Sequence, residues 1–437
     1  MTSEEAIAWI HGRLTFGIRP GLRRVEALLK RLGNPEKAVA MIHIAGTNGK
    51  GSTVSYLRSL LEENGLQVGT FTSPHIESFN ERIEINGTFI SDEDLVVWVE
   101  RVQPIVVEMD AEEDVTGITQ FEIITAIALG YFAEQKVDVA LIEVGLGGLL
   151  DSTNVITPIL TAITTIGMDH MDVLGDTVEA IAAHKAGIVK PGIPLVTGNI
   201  SEPALSVIDA KAKENNAATY HLGEGYQVKY RHPDPSWGEV FDFENEQGKI
   251  KHLITPMLGR HQPENAGVAI QLYALYCAQQ QVPFTAKNVR NGLKKAHWPA
   301  RMEKLSQEPL VILDGAHNTH AMTRLVDTMK EEFGDYRIHI LFSALETKNI
   351  SKMLEQLLQI PQADIYMTTF DFPKAVNLAA GYQEIDSKRI STVSLWQFGL
   401  AELLEKMTNE DLLLVTGSLY FVSEVRELLR SIGGSND

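Results

Sequence analysis

Residues 42–53 read Ile42-His43-Ile44-Ala45-Gly46-Thr47-Asn48-Gly49-Lys50-Gly51-Ser52-Thr53. A short apolar strand runs into a glycine-rich turn, and a helix is expected to start directly after it. Backbone N–H groups in such a turn can ring a phosphate, and the helix N-terminus adds a favourable dipole. Asn48, Gly49 and Gly51 would supply the turn, Lys50 would reach the outer phosphates, and the Ser52 hydroxyl would face Mg2+. The spacing departs from the common phosphate loop. Gly46 lies three residues before Gly49 rather than five, and Gly51 separates Lys50 from Ser52. The plain alternative is a strand–helix turn that binds nothing; the density of glycine, lysine and hydroxyl side chains weighs against it.

Outward from this loop, short apolar runs alternate with helical patterns. Strands are expected at 39–45, 67–72, 137–145, 160–166, 194–198, 310–313, 338–343 and 411–416. Many are β-branched and uniformly apolar, as suits parallel strands covered on both faces. Amphipathic helices are expected at 53–64, 119–135, 177–189 and 263–280. Between 217 and 256 the pattern turns polar, with Asp-Pro and Gly turns, and reads as a small antiparallel excursion. Residues 294–304 read as a linker broken by Pro299. The fold expected is α/β. A mostly parallel, phosphate-loop sheet domain fills residues 1–297, and a smaller Rossmann-like α/β domain fills 298–437.

Composition bounds the rest. With 437 residues, 44% hydrophobic and 22% charged, the chain reads as globular, with a sizeable core. The first residues, MTSEEAIAWIHGR, carry acids and no long apolar run, so no secretory signal is expected there. No stretch approaches a membrane span. A single cysteine, Cys277, permits no internal disulfide and fits a reducing cytoplasm. A formal net charge of -19 disfavours nucleic acid and anionic lipid as partners. Anionic small-molecule substrates would need local Lys, Arg and metal cations.

Three polar residues sit where ligands gather in open α/β sheets, outside the carboxyl ends of strands. They are Ser73 after QVGTFT, Glu143 in VDVALIEVG and His170 after LTAITTIGMD. If they converge beside the loop they make an Mg2+ site. Each also has an ordinary reading: a turn cap, an ion-pair partner, a satisfied loop histidine. Lys185 follows Ile181 by four residues and precedes Ile188 by three, so it shares their inward face on a helix expected to start at Asp176 with Glu179 in a capping box. A buried ammonium is costly. Either the head snorkels to water, or it meets carboxylates or is chemically modified.

Ordered blocks span almost the whole chain: GTNGKGS (46–52), TSPHIESFNERI (72–83), TQFE (119–122), EVGLGGLLDSTN (143–154), IGMDHMDVLGDTVEAIAAHKAGI (166–188), GRHQPENA (259–266), HWPARME (297–303), LDGAHN (313–318) and TGSLYFVSEV (416–425). Together they resemble the folylpolyglutamate synthase/dihydrofolate synthase family, relatives of the Mur ligases. The resemblance implies a cytoplasmic, monomeric ATP- and Mg2+-dependent ligase of folate and one-carbon metabolism. It would add L-glutamate to the γ-carboxylate of tetrahydrofolate through an acyl phosphate. Some members also join glutamate to dihydropteroate, and the sequence leaves the two activities open. A Mur-type peptide ligase is the remoter alternative, since Gly51 stands where those enzymes typically carry Thr.

The same resemblance implies that Asn265, Arg301, Asp314 and His317 contact ATP, that Lys185 is carbamylated and serves the metal site, and that Arg82 and Phe121 lie at the folate site. Phe121 reads equally well as core. Asp151 is a candidate site acid with an Asx turn as its alternative, and His317 and Asp314 are candidate bases. Three positions and one segment depart from the family pattern. Leu149 and Lys374 stand where Arg is usual and Ala300 where Gly is usual, and the segment around Thr347, Lys348 and Asn349 lacks the usual flanking aspartates.

Overall fold

The computed structural model of the protein describes residues 1–17, 19–378 and 388–433. An eight-stranded sheet comprises β1 (Met41–Ala45), β2 (Val68–Phe71), β3 (Ile83–Ile85), β4 (Thr88–Phe89), β5 (Val139–Glu143), β6 (Leu160–Ile163), β7 (Leu195–Thr197) and β8 (Thr219–His221). Their order is β4-β3-β2-β5-β1-β6-β7-β8. β2, β5, β1, β6, β7 and β8 run parallel, and β3 and β4 extend the β2 edge as antiparallel strands. Every residue of β1, β2, β5 and β6 is buried, which is why these strands read as mostly apolar runs rather than as an alternation.

Register places the functional ends. Ile44 pairs with Glu143 and Ala45 with Ile163. Phe71 pairs with Ile142. The loop after β1 therefore emerges between Glu143 on one side and Thr164 on the other, and the chain after β2 emerges next to Glu143. One face of the sheet packs on helices Ser3–Gly12, Arg23–Arg31, Asp92–Asp110 and Gln120–Gln135 through a core that includes Leu28, Trp98, Ile127, Phe132 and Ile142. Another core, around Ile163, Ile181, Ile188 and Ile208, involves helices Val178–Ala186 and Glu202–Glu214.

β9 (Tyr226–Pro233), β10 (Glu239–Asn245) and β11 (Gly248–Thr255) form their own three-stranded sheet in the order β11-β10-β9. This is the excursion expected over 217–256, except that β8, at its start, joins the large sheet. A six-stranded sheet follows: β12 (Glu303–Gln307), β13 (Leu310–Leu313), β14 (Arg337–Phe342), β15 (Ala363–Thr368), β16 (Ile390–Val393) and β17 (Asp411–Thr416). Its order is β12-β13-β17-β14-β15-β16, with only β12 antiparallel to its neighbour. Its core gathers Ile312, Met322, Ile340, Leu354, Ile365 and Leu414.

Two compact units result. One holds Met1–Arg231, Phe241–Ile254 and Pro263–Ala296, and the other holds His232–Val240, Thr255–Gln262 and the chain from His297. A single cut near 298 thus misses two short stretches. The reason is packing invisible in a linear pattern: within the second unit Trp237 lies 6.0 Å from the Phe333 ring, with Lys304 Nζ 4.5 Å above it. β3, β4, β12, β15 and β16 were also not anticipated; β3 and β4 are too short to show a period, and β16 is half exposed. No helix among the described residues is long and apolar enough to cross a membrane.

Candidate active site

The expected helix after the glycine turn runs Lys50–Glu62. Gly49 caps it at φ +84° without a side-chain bond, and no acid stands in its first turn. That leaves the N-terminus electrostatically open to an anion. Two glycines are required by contact. A Cβ on Gly46 would lie 1.9 Å from Thr164 Oγ1, and one on Gly49 would lie 2.4 Å from Asn265 Oδ1. The loop is stitched to the end of β6: Thr47 N–H donates to Thr165 O (2.8 Å), Asn48 N–H donates to Thr165 Oγ1 (3.0 Å), and Thr164 Oγ1 donates to Asn48 O (2.6 Å). Ser52 is buried in the helix's first turn.

Three charged groups meet this loop. Lys50 Nζ donates to Gly46 O at 3.1 Å and lies 3.8 Å from Glu143 Oε1. Glu143, 4% exposed, accepts on Oε2 from Ser73 N–H at 3.3 Å. Lys185, also 4% exposed, donates from Nζ to Gly46 O at 3.1 Å. Its ammonium does not snorkel. Burial drives its pKa down to about 7, the charge of Lys50 pushes the same way, and Asp169 and Asp151 oppose. The helix carrying Lys185 is capped by Thr177, whose side chain accepts from Ala180 N–H, rather than by Asp176 with Glu179.

His170 lies seven residues beyond the end of β6, in a left-handed conformation (φ 50°) at the cap of the one-turn helix Met171–Leu174. Its side chain is 46% exposed, and its Nε2 lies 4.0 Å from Asp169 Oδ2. Among the described residues no group of three or more His, Cys, Asp or Glu is arranged as a metal cluster. The donor set at the loop, one buried carboxylate with serine hydroxyls nearby, fits Mg2+ in its usual manner. That cation takes one or two carboxylates and fills its remaining positions with phosphate oxygens and water.

Asp151 takes the Asx-turn alternative. Its Oδ1 accepts from Thr153 N–H (3.0 Å) and its Oδ2 from Leu146 N–H (2.8 Å), so the carboxylate ties the Gly145–Leu150 loop to the following 3-10 turn. Thr153 Oγ1 also bonds Asp151 and meets buried His43 Nε2 at 2.8 Å. Burial raises the Asp151 carboxyl. The partly buried Phe121 ring stacks on Phe71 at 5.8 Å, next to Gly145. Arg82 donates from Nε to His75 Nδ1 at 2.9 Å and reaches over the Phe79 ring at 5.7 Å. Together with His11, whose ring is 5.5 Å from Phe79, they make a small aromatic and cationic cluster. Leu149 is 46% exposed on the Gly145–Leu150 loop.

In the second unit, Arg301, Asp314 and His317 form a group at the end of β13. Asp314 accepts from Met302 N–H (3.0 Å) and from Ala316 N–H (2.9 Å). Burial raises its carboxyl and the Arg301 charge opposes. His317 donates from Nδ1 to Gly315 O at 2.8 Å. Arg301 Nη1 donates to Ala300 O at 2.9 Å and crosses above Gly315, where a Cβ would sit 2.6 Å away. Sequence reasoning missed Asp169, whose signal was an acid beside His170 in IGMDH. It also missed Thr164 and Thr165, which carry no signal beyond lying past an apolar strand.

Comparison with known proteins places this arrangement. Residues 44–273 match the Mur ligase middle domain, and residues 300–419 match the Mur ligase, glutamate ligase domain. That pair of domains defines an ATP-dependent ligase. A dihydrofolate synthase/folylpolyglutamate synthase of Bacillus subtilis is 43% identical over 98% of this chain and 99% of its own. A folylpolyglutamate synthase of Lacticaseibacillus casei is 38% identical over the whole of both chains. A solved "FPGS-AMPPCP-folate complex" superimposes with a TM-score of 0.85 at 36% identity, over 98% of this chain and 100% of the other. The chain belongs to the folylpolyglutamate synthase/dihydrofolate synthase family.

Proposed function

We propose that this enzyme joins L-glutamate to the γ-carboxylate of tetrahydrofolate, consuming ATP and releasing ADP and phosphate. The observation that carries the reading is the meeting of Lys50, Lys185 and Glu143 on a glycine loop that opens a helix. A carboxylate does not condense with an amine unaided, because its oxygen is a poor leaving group. Transfer of the ATP γ-phosphoryl group to the carboxylate oxygen gives an acyl phosphate and ADP. The glutamate amine then attacks the carbonyl carbon, the C–O bond to phosphate breaks, and the amine loses a proton. Phosphoryl transfer of this kind needs chiefly positioning and charge neutralisation.

The chain supplies both. Asn48, Gly49, Gly51 and Ser52 present backbone and hydroxyl groups to the phosphates, and Lys50 offsets their charge. Ser52, Ser73, Glu143, His170 and Lys185 would hold Mg2+, which when bound neutralises charge on the transferring phosphoryl group. Burial lowers the Lys185 pKa to about 7, which makes its uncharged amine accessible near neutral pH. Such an amine adds to CO2, forming an N–C bond and losing a proton, and the product is a carboxylate in place of a cation. Asn265, Arg301, Asp314 and His317 contact ATP, Arg301 as the phosphate-facing cation and the buried Asp314 as an anchor. Arg82, with its aromatic cluster, faces the folate. Residues 1–297 carry the nucleotide loop, and the chain from 298 carries the Mur-type C-terminal domain, whose compact unit also takes in His232–Val240 and Thr255–Gln262. The partners are small molecules, and the enzyme works as a cytoplasmic monomer.

Dihydropteroate is a second acceptor under this reading, supported by the double name of the 43% identical relative. The test is ADP release and product mass with ATP, Mg2+ and glutamate, run separately with tetrahydrofolate and with dihydropteroate. Release only with an acceptor present is expected. No release with either acceptor sinks the reading.

A further inference from the structure

Arg301 is flanked by two non-glycine residues with left-handed backbone, Ala300 at φ +53° and Met302 at φ +46°. Such backbone persists only where the surroundings over-determine it. Two buried carboxylates do so here. Ala300 N–H donates to Glu303 Oε2 at 2.8 Å, and Met302 N–H donates to Asp314 Oδ2 at 3.0 Å. The amides on either side of Arg301 are thus each held by a carboxylate. Ala300 O accepts from Gly315 N–H (2.9 Å) and from the Arg301 guanidinium itself.

Glu303 is in turn fixed from a distant part of the chain. Arg426, on helix Leu419–Gly433, donates to it from Nε at 2.8 and 3.0 Å and from Nη2 at 2.8 Å. Arg426 is 1% exposed and Glu303 8%. Burial lowers the Arg426 pKa to about 10, which keeps the guanidinium charged at neutral pH. A buried ion pair is poor evidence of a stabilising role, since apolar replacement of the whole pair is often neutral. What the pair does provide is a fixed orientation: the bidentate contact leaves the Glu303 carboxylate one direction in which to accept from Ala300.

We infer that Arg426 and Glu303 are positioning residues, a clamp that holds the Ala300–Met302 turn and thereby aims the Arg301 guanidinium. The inference rests on the proposed role of Arg301 as the phosphate-facing cation. The clamp itself touches no substrate.

The test is a cycle of variants of the full-length enzyme. Glu303→Met with Arg426→Met removes both charges together and is expected to melt within a few degrees of the parent. Its kcat for ADP release is expected to fall about 100-fold, the scale of an ångström-level misplacement of a catalytic group, with KM for glutamate little changed. Arg301→Ala introduced on top is expected to add little. Glu303→Gln with Arg426→Met, which returns an acceptor opposite Ala300 N–H but not the arginine fork that orients it, is expected to recover only part of the turnover. If the double-Met protein does not fold, Arg426→Lys, which keeps the charge but loses the fork, is expected to lower kcat with an unchanged melting point. Effects of Arg301→Ala and the clamp variants that multiply, or a clamp variant with normal kcat, overturn the clamp and leave the role of Arg301 standing. Normal turnover by Arg301→Ala alone overturns that role and the clamp with it.

Discussion

Lys50 and Lys185 converge on one carbonyl oxygen, that of Gly46, each ammonium at 3.1 Å. Two cations on a single neutral acceptor repel each other, and one of them lies in a nearly water-free site. The arrangement is relieved by an anion between them or by loss of charge on Lys185. Both outcomes are useful to an enzyme that must gather a triphosphate in a protein of net charge -19.

The first consequence is a pH-dependent instability. Lys185 has a folded pKa of about 7, below its unfolded value, so the unfolded chain binds more protons between the two values. The penalty is full below about pH 7 and fades as pH rises toward the unfolded pKa. At neutral pH it amounts to roughly 4–5 kcal/mol before relaxation. In CO2-depleted buffer without nucleotide, Lys185→Met should melt above the parent at pH 7, and the gap should close by pH 10. A gap that stays constant with pH would show that Lys185 is not desolvated as described.

Carbamylation of Lys185, as proposed, would make activity depend on dissolved CO2. Enzyme dialysed under CO2-free gas at mildly acidic pH should lose most of its ADP release and regain it over minutes on adding bicarbonate. Lys185→Ala should be nearly inactive and unresponsive to bicarbonate. Full activity after rigorous CO2 removal would rule the modification out.

Gly49 should not tolerate a side chain. Gly49→Ala strains a φ of +84° and drives a methyl to 2.4 Å from Asn265 Oδ1. Stability should fall by about 1 kcal/mol or more. Nucleotide affinity, read by calorimetry, should fall at least tenfold because the helix N-terminus and Asn265 both shift. An alanine variant that binds ATP normally would place the nucleotide elsewhere.

Ala300 offers the reverse experiment. It holds φ +53°, a conformation that glycine adopts without strain. Ala300→Gly should change stability by only a few tenths to about 1 kcal/mol, relief of backbone strain being set against the greater entropy of the unfolded chain. Its melting curve should show no loss of cooperativity. A drop of several degrees would mean that the Ala300 methyl packs more tightly than its backbone suggests.

Much of the fold was legible because its signals are local. β1, β5, β6, β13, β14 and β17 announce themselves as apolar runs because both faces of a parallel sheet are covered. The inward face of Lys185 followed from its spacing to Ile181 and Ile188. Its actual partner, the Gly46 carbonyl, lies 139 residues away and had no signal. For Asp151 and Phe121 the structure adds local partners that the sequence did not show: Asp151 holds its own loop and Phe121 packs on Phe71.

By itself the sequence determined the α/β class, the phosphate loop, the ordered motifs that mark the family and the buried face of the Lys185 helix. These depend on periodicity and turn chemistry over a few residues, which the chain carries wherever it goes. Tertiary structure alone decided that β1 lies between β5 and β6, that Glu143 therefore stands beside Lys50, and that Arg426 reaches Glu303 across 123 residues. Strand order and long-range pairing are set by how separate elements share a core, a collective energy that no short window of residues contains.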